Sequence, residues 1–117
     1  MENILDNVVS RRLFDEILNT SIIAKETIFL EETESTNDDV WEYYNKDKNI
    51  VIVANKQTKG RGRLGNKWYS NPNESLTFSF NINTDMNPNI LALITGLAIV
   101  QSIKEVSNLD TFLKWPN

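Results

Sequence analysis

An α+β fold, a mixed β-sheet with helices packed on one face, is predicted by three features of this 117-residue chain. Ile50–Ala54 is an unbroken apolar run, mostly β-branched, the mark of a strand covered on both faces. Leu76, Phe78, Phe80 and Ile82 alternate with Thr77, Ser79 and Asn81, the period of two that a half-buried strand shows. Asn89 to Val106 places Ile90, Leu93, Ile94, Leu97 and Ile103 on a wide helical face. Pro88 opens that helix, where its missing N–H costs nothing.

The remaining elements follow in order. Residues 3–19 carry Ile4, Leu5, Val8, Leu13, Phe14, Ile17 and Leu18 at passable helical spacing and predict a leading helix. Thr27–Glu32 reads as a strand on Ile28, Phe29 and Leu30. Ser35-Thr36-Asn37-Asp38-Asp39 offers hydroxyl caps and then acids that suit a helix N-terminus, with Val40, Trp41 and Tyr44 on one apolar face. A loop over 56–67 separates the buried run from Trp68 and Tyr69, which read as an apolar hinge against the body. In Asn71-Pro72-Asn73-Glu74, Asn73 suits a positive φ. Gly96 marks close packing of the long helix against the sheet, and Thr111–Trp115 reads as a last short strand.

Composition removes several kinds of chemistry. The chain has no cysteine and no histidine. Disulfides, thiolate catalysis and the commonest metal ligands are therefore excluded, and no metal-ligand set is read from it. A net charge of −4 argues against protein-wide attraction to nucleic acid or anionic lipid. No apolar run is read as approaching the length of a membrane span, and no signal segment is read at the start, so a cytoplasmic protein without membrane or DNA partners is expected.

Three segments carry chemistry. Gly60-Arg61-Gly62-Arg63-Leu64-Gly65 holds three of the four glycines in the chain. Alternating glycine with arginine gives a loop that brings backbone N–H groups and planar donor forks around an anion. Its bland alternative is a solvated surface hairpin. Gln57, just past the buried run, adds a donor and an acceptor. Glu34-Ser35-Thr36-Asn37 is explained by ordinary helix capping, but hydroxyls, an amide and free N–H groups also make a polar pocket. Lys114-Trp115-Pro116-Asn117 reads either as a strand end with a solvated lysine or as a cation in a partly dry site.

The order of these pieces resembles the catalytic domain of the biotin–protein ligases, from about residue 27 to 117. The matching residues are Ser35-Thr36-Asn37, Gln57, Gly60 to Gly65 with Lys67-Trp68, Leu76 with Ser79, and Lys114-Trp115-Pro116-Asn117. The resemblance implies a fold like that of the class II aminoacyl-tRNA synthetases and biotin–lipoate ligases. It implies activation of biotin by ATP, carrying Mg2+, to biotinyl-5′-AMP, and transfer to a lysine of a biotin carboxyl carrier protein of acetyl-CoA carboxylase or a related carboxylase. Ser35, Thr36, Asn37, Gln57, Gly60 and Gly62 then belong to the biotin site. Arg61, Arg63 and Lys114 join them as the residues at the reacting carboxyl and phosphate. Gly65, Trp68, Trp115 and Asn117 support them. The loop is expected to be disordered until it folds over the ligand, and a homodimer is compatible with the resemblance.

Against that pattern, the chain reads as residues 1–117 of a partial catalytic domain. Residues 1–26 form a leading helical segment and 27–117 the motif-bearing part, with no DNA-binding domain and with the C-terminal half and C-terminal β domain absent. Two other readings compete. A lipoate–protein ligase shares the fold but has a different loop pattern with a following histidine. An RNA-binding module would use Lys56, Lys59, Arg61, Arg63 and Lys67 beside Trp68 and Tyr69.

Overall fold

The computed structural model describes residues 15–44 and 47–114. The element order is β1 (Glu26–Thr33), α1 (Thr36–Tyr44), β2 (Ile50–Gln57), a 3-10 turn (Arg63–Gly65), β3 (Thr77–Phe80) and α2 (Pro88–Ser107). The chain divides into two compact units, Met1–Asn83 and Thr84–Asn117.

The sheet of the first unit is mixed, as expected, and three-stranded, with β2 as its central strand. This strand runs parallel to β1, with Ile28 opposite Ile52, and antiparallel to β3, with Ser79 opposite Ile52. All five residues of Ile50–Ala54 are buried, as the apolar run predicts. Their alternation feeds two small cores. Ile50 and Ile52 meet Val40 and Tyr43 of α1, with Ile28 and Leu30 of β1. Val51 and Val53 meet Ala24, Leu18, Phe29 and Phe80 on the opposite face. Removing a side chain of this size from water contributes about 1.5–3 kcal/mol, so the full burial of Ile50 and Ile52 anchors the unit.

Several expectations need correction. The apolar face of α1 is Val40 with Tyr43, three residues apart. Trp41 and Tyr44 instead form an edge-to-face pair on the outside, with centroids 5.1 Å apart. On β3 the polar stripe turns inward: Thr77 and Asn81 are buried while Leu76 and Phe78 are exposed. The reason is hydrogen bonding. Asn81 Oδ1 accepts from Ile50 N at 2.8 Å and its Nδ2 donates to Lys48 O, while Thr77 shares a hydrogen with Ser70. Asn73 has φ 61°, as its place in the turn requires. Most of the expected helix over 3–19 lies outside the described residues, with 15–17 helical.

The second unit is α2 and the segment after it. Asn87 caps α2 by accepting from Asn89 N at 2.9 Å, Pro88 opens it, and Asn108 closes it at φ 56°. Leu113 folds back on Gly96: a Cβ there would stand 2.6 Å from Leu113 Cδ1. The partner of Gly96 is thus the following segment, where the sequence suggests the sheet. Residues 111–114 are irregular, so the last strand does not form there, and Trp115 lies outside the described residues. Among the described residues, the 20-residue helix Pro88–Ser107 is long and apolar enough to cross a membrane by length and composition alone, with mean hydropathy 1.5 over its most apolar 18 residues, although it carries Lys104 and Glu105.

Candidate functional site

The parallel pairing of β1 and β2 gathers the candidate residues. Two parallel strands end at the same edge, so the turn into α1 and the loop after β2 emerge side by side, where open α/β sheets commonly take ligands. The ladder continues past the strands: Thr58 N donates to Thr33 O at 2.9 Å and Lys59 N to Glu34 O at 2.8 Å. Thr36 and Gln57, 21 residues apart, are thereby brought into contact.

Their contact has a defined polarity. Gln57 Oε1 accepts from Thr36 N at 2.9 Å and from Thr36 Oγ1 at 3.2 Å. Only the oxygen of the amide accepts, so Nε2 is the group left to donate. Ser79 Oγ donates to Asn37 Oδ1 at 2.6 Å and stands 2.8 Å from Thr36 Oγ1. Ser79 has one proton and spends it on Asn37, so the single Thr36 hydroxyl proton is shared between Gln57 Oε1 and Ser79 Oγ. Four side chains from α1, β2 and β3 thus form one chain of hydrogen bonds. Ser35 and Thr36 are buried, and Asp39 N donates to Ser35 O at 3.1 Å to begin the helix.

The glycine–arginine loop lies over this cluster as a short hairpin. Arg61 bridges Lys67, Trp68 N donates to Gly60 O at 3.1 Å, and Gly62 N donates to Asn66 O at 2.7 Å. These bonds make the loop a bonded turn. Leu64 (φ 57°) and Gly65 (φ 78°) carry its left-handed backbone. Gly60 is required for a different reason: a Cβ would sit 2.3 Å from Gln57 Nε2 and 2.9 Å from Trp68 O. Trp68 and Tyr69 are 59% and 83% exposed, so they do not form the expected hinge against the body.

Acids flanking the β1–α1 turn neutralise the loop. Arg61 forks onto Asp38, Nη1 to Oδ2 at 2.9 Å and Nη2 to Oδ1 at 2.5 Å. That hydrogen bonding holds the Asp38 carboxyl below its ordinary value and raises the Arg61 guanidinium. Lys59 pairs with Glu34 at 2.6 Å, and Lys56 with Glu32 at 2.6 Å. Lys56, Lys59 and Arg61, which an RNA surface would use, are thus paired with acids.

The described residues bring Ser35, Thr36, Asn37, Gln57, Gly60, Arg61, Gly62 and Arg63 to one edge of the first unit, with Gly65 and Trp68 in the same hairpin. Lys114 belongs to the second unit, and Trp115 and Asn117 lie outside the described residues. Two participants are given no site role in the sequence reading, although Ser79 stands among its matching motif residues. Ser79 could be found from parity, because Thr77, Ser79 and Asn81 share one face of β3. Asp38 reads only as an acid suited to a helix start, and no sequence signal pairs it with Arg61.

Comparison with known proteins gives a consistent outcome. The pattern of the Biotin/lipoate A/B protein ligase family matches residues 26–117. The bifunctional ligase/repressor BirA of Bacillus subtilis is 31% identical over 106 residues, covering 86% of this chain and 32% of its own length. The biotin–protein ligase of Schizosaccharomyces pombe is 40% identical over 78 residues, covering 58% of this chain and 12% of its own. Among solved structures, the biotin protein ligase of Aquifex aeolicus in complex with biotin and ATP superposes with a TM-score of 0.70 at 40% identity, over 80% of this chain and 40% of that one. The chain spans about a third of the length of the Bacillus relatives it matches, 32% in each case.

Proposed function

Given that the chain belongs to the Biotin/lipoate A/B protein ligase family, matched over residues 26–117, we propose that it provides the biotin-binding portion of a biotin–protein ligase. The activity is that of a carbon–nitrogen bond-forming ligase: biotin is activated by ATP to biotinyl-5′-AMP with release of pyrophosphate, and passed to a lysine of a biotin carboxyl carrier protein of acetyl-CoA carboxylase or a related carboxylase with release of AMP. A cytoplasmic setting accompanies this reading. The observation that carries it is the junction of Thr36, Asn37, Gln57 and Ser79 beneath the Gly60–Gly65 hairpin.

The cyclic urea of biotin carries two N–H donors and one carbonyl acceptor. Lone pairs on the hydroxyls of Ser35 and Thr36 suit the donors, and the Gln57 and Asn37 amide N–H groups suit the carbonyl. At the other end, a carboxylate attacks a phosphate, so two anions must be brought together. Arg61 and Arg63 lower that repulsion and stabilise charge on the transferred group, with the N–H of Gly62 as a further donor. Bound ATP supplies the adenylyl group, and its Mg2+ comes with its phosphates. The mixed anhydride that forms is destroyed by water, and a hairpin over the ligand excludes it. For Lys114, the proposal rests on its motif: a point charge at the reacting carboxyl and phosphate.

Calorimetry with biotin and then biotinyl-5′-AMP tests the reading, with lipoic acid as the control. Saturable binding of both biotin compounds and none of lipoic acid is expected. Absence of saturable binding to either biotin compound would sink it, and preference for lipoic acid would move the chain to the lipoate branch of the family.

A further inference from the structure

The fork of Arg61, which the proposed function turns toward a ligand carboxylate, is engaged at both Nη atoms by Asp38. A guanidinium has two bidentate edges, Nη1/Nη2 and Nε/Nη, and the first takes one carboxylate at a time, so a ligand carboxylate can use that edge only in exchange with Asp38. Asp38 sits in the first turn of α1, two residues beyond Thr36 in the hydrogen-bonded cluster. The neighbouring acids are committed elsewhere: Glu34 to Lys59, and Asp39 to the Thr33 hydroxyl, whose Oγ1 donates to Asp39 Oδ2 at 2.6 Å.

We infer that Asp38 is an internal counter-anion with which the ligand's own carboxylate exchanges at Arg61, and that it thereby sets how strongly the site prefers a charged ligand end over a neutral one. The inference rests on the reading that this site takes biotin. A ligand with a neutral end leaves the Asp38–Arg61 fork in place and gains nothing from it. A carboxylate gains the fork but must part it from Asp38. Asp38 therefore lowers the charge preference below what Arg61 alone would give. Both partners are exposed and the exchange takes place in water, so its size is modest.

The test compares biotin with biotin methyl ester, by calorimetry on the 117-residue chain. In Asp38→Asn the ratio of biotin to ester affinity rises about two- to fivefold, the tenfold-per-1.4 kcal/mol scale applied to an exposed pair. Asp39→Asn removes the same charge one residue away without touching Arg61, and leaves the ratio as in the wild type. A second measurement needs no ligand: tryptic cleavage after Arg61, read by mass spectrometry, speeds up in Asp38→Asn and not in Asp39→Asn. An unchanged ratio in Asp38→Asn, an equal rise in both variants, or unchanged cleavage overturns the inference while leaving biotin binding intact. Wild-type protein that binds neither compound overturns the exchange together with the proposed function, and is recognised by the absence of any heat with biotin.

Discussion

Thr36 meets Gln57 Oε1 twice, donating from its backbone N–H and sharing its one hydroxyl proton between that oxygen and Ser79 Oγ, although Thr36 and Gln57 are 21 apart in the chain. One residue thereby fixes both the start of α1 and the orientation of an amide on β2. Thr36→Val keeps the shape and the backbone bond but removes the hydroxyl, leaving Ser79 Oγ without its second partner. Biotin affinity is expected to fall about tenfold, the worth of one to two hydrogen bonds of roughly 1 kcal/mol each. Calorimetry checks it, with far-UV circular dichroism unchanged.

Gly60→Ala places a methyl where Gln57 Nε2 and Trp68 O already stand, at 2.3 and 2.9 Å. The Gln57 side chain can swing away, but the Trp68 carbonyl is backbone and moves only with the hairpin. The variant should lose roughly tenfold or more in biotin affinity while its urea midpoint drops by less than that of a core substitution such as Ile52→Ala, for which about 2–5 kcal/mol is expected. Equal affinity in Gly60→Ala and wild type would count against a role for the Gly60–Gln57 approach.

Arg61→Ala removes a charge-assisted donor, so biotin or biotinyl-5′-AMP should bind more weakly by roughly tenfold or more. Retention of the adenylate on a filter, measured beside the wild type, reads this directly. Lysine at the same position restores charge but not the fork, and should recover only part of the loss.

The Asp38 carboxyl is held below its ordinary value in the folded chain, first by its hydrogen bonds with Arg61 and then by the attraction between the charges. A depressed folded value contributes stability above the unfolded value, near 3.9 for an aspartate, and loses it as pH falls through the folded value. The urea midpoint of the wild type should therefore exceed that of Asp38→Asn at pH 7. The gap should close as the pH is taken below about 3.9. A gap that stays constant over that range would show that the fork does not contribute to folding.

Much of the sheet is legible in the sequence because its central strand is saturated with apolar residues. Nothing but burial on both faces explains Ile50 to Ala54. Helix α2 is legible from its ends, since Asn87, Pro88 and Asn108 act through local backbone geometry. The biotin-side candidates are legible as a set of motifs, and the structure brings eight of them to one edge. What escapes is whatever depends on a partner distant in the chain. Asp38 meets Arg61 across 23 residues, and Leu113 meets Gly96 across 17. The inward turn of the polar stripe on β3 escapes for the same reason: Thr77 and Asn81 are buried and Ser79 half-buried because their partners, Ser70, Lys48 and Thr36, lie elsewhere in the chain.

The Asn81 side chain has a consequence that reaches beyond its own surroundings. By accepting from Ile50 N and donating to Lys48 O it behaves as one more rung of the β2–β3 ladder, made of amide side chain in place of backbone. It pins the alignment of the two strands at their far end from the loop. Sliding an antiparallel strand by one residue turns every side chain to the opposite face. A slip at Asn81 would therefore carry Ser79 away from Thr36 and bring Phe78 or Phe80 to the polar cluster in its place. The chemistry at the carboxyl ends of β1 and β2 is indexed, like the teeth of a rack, from an asparagine at the opposite edge of the sheet.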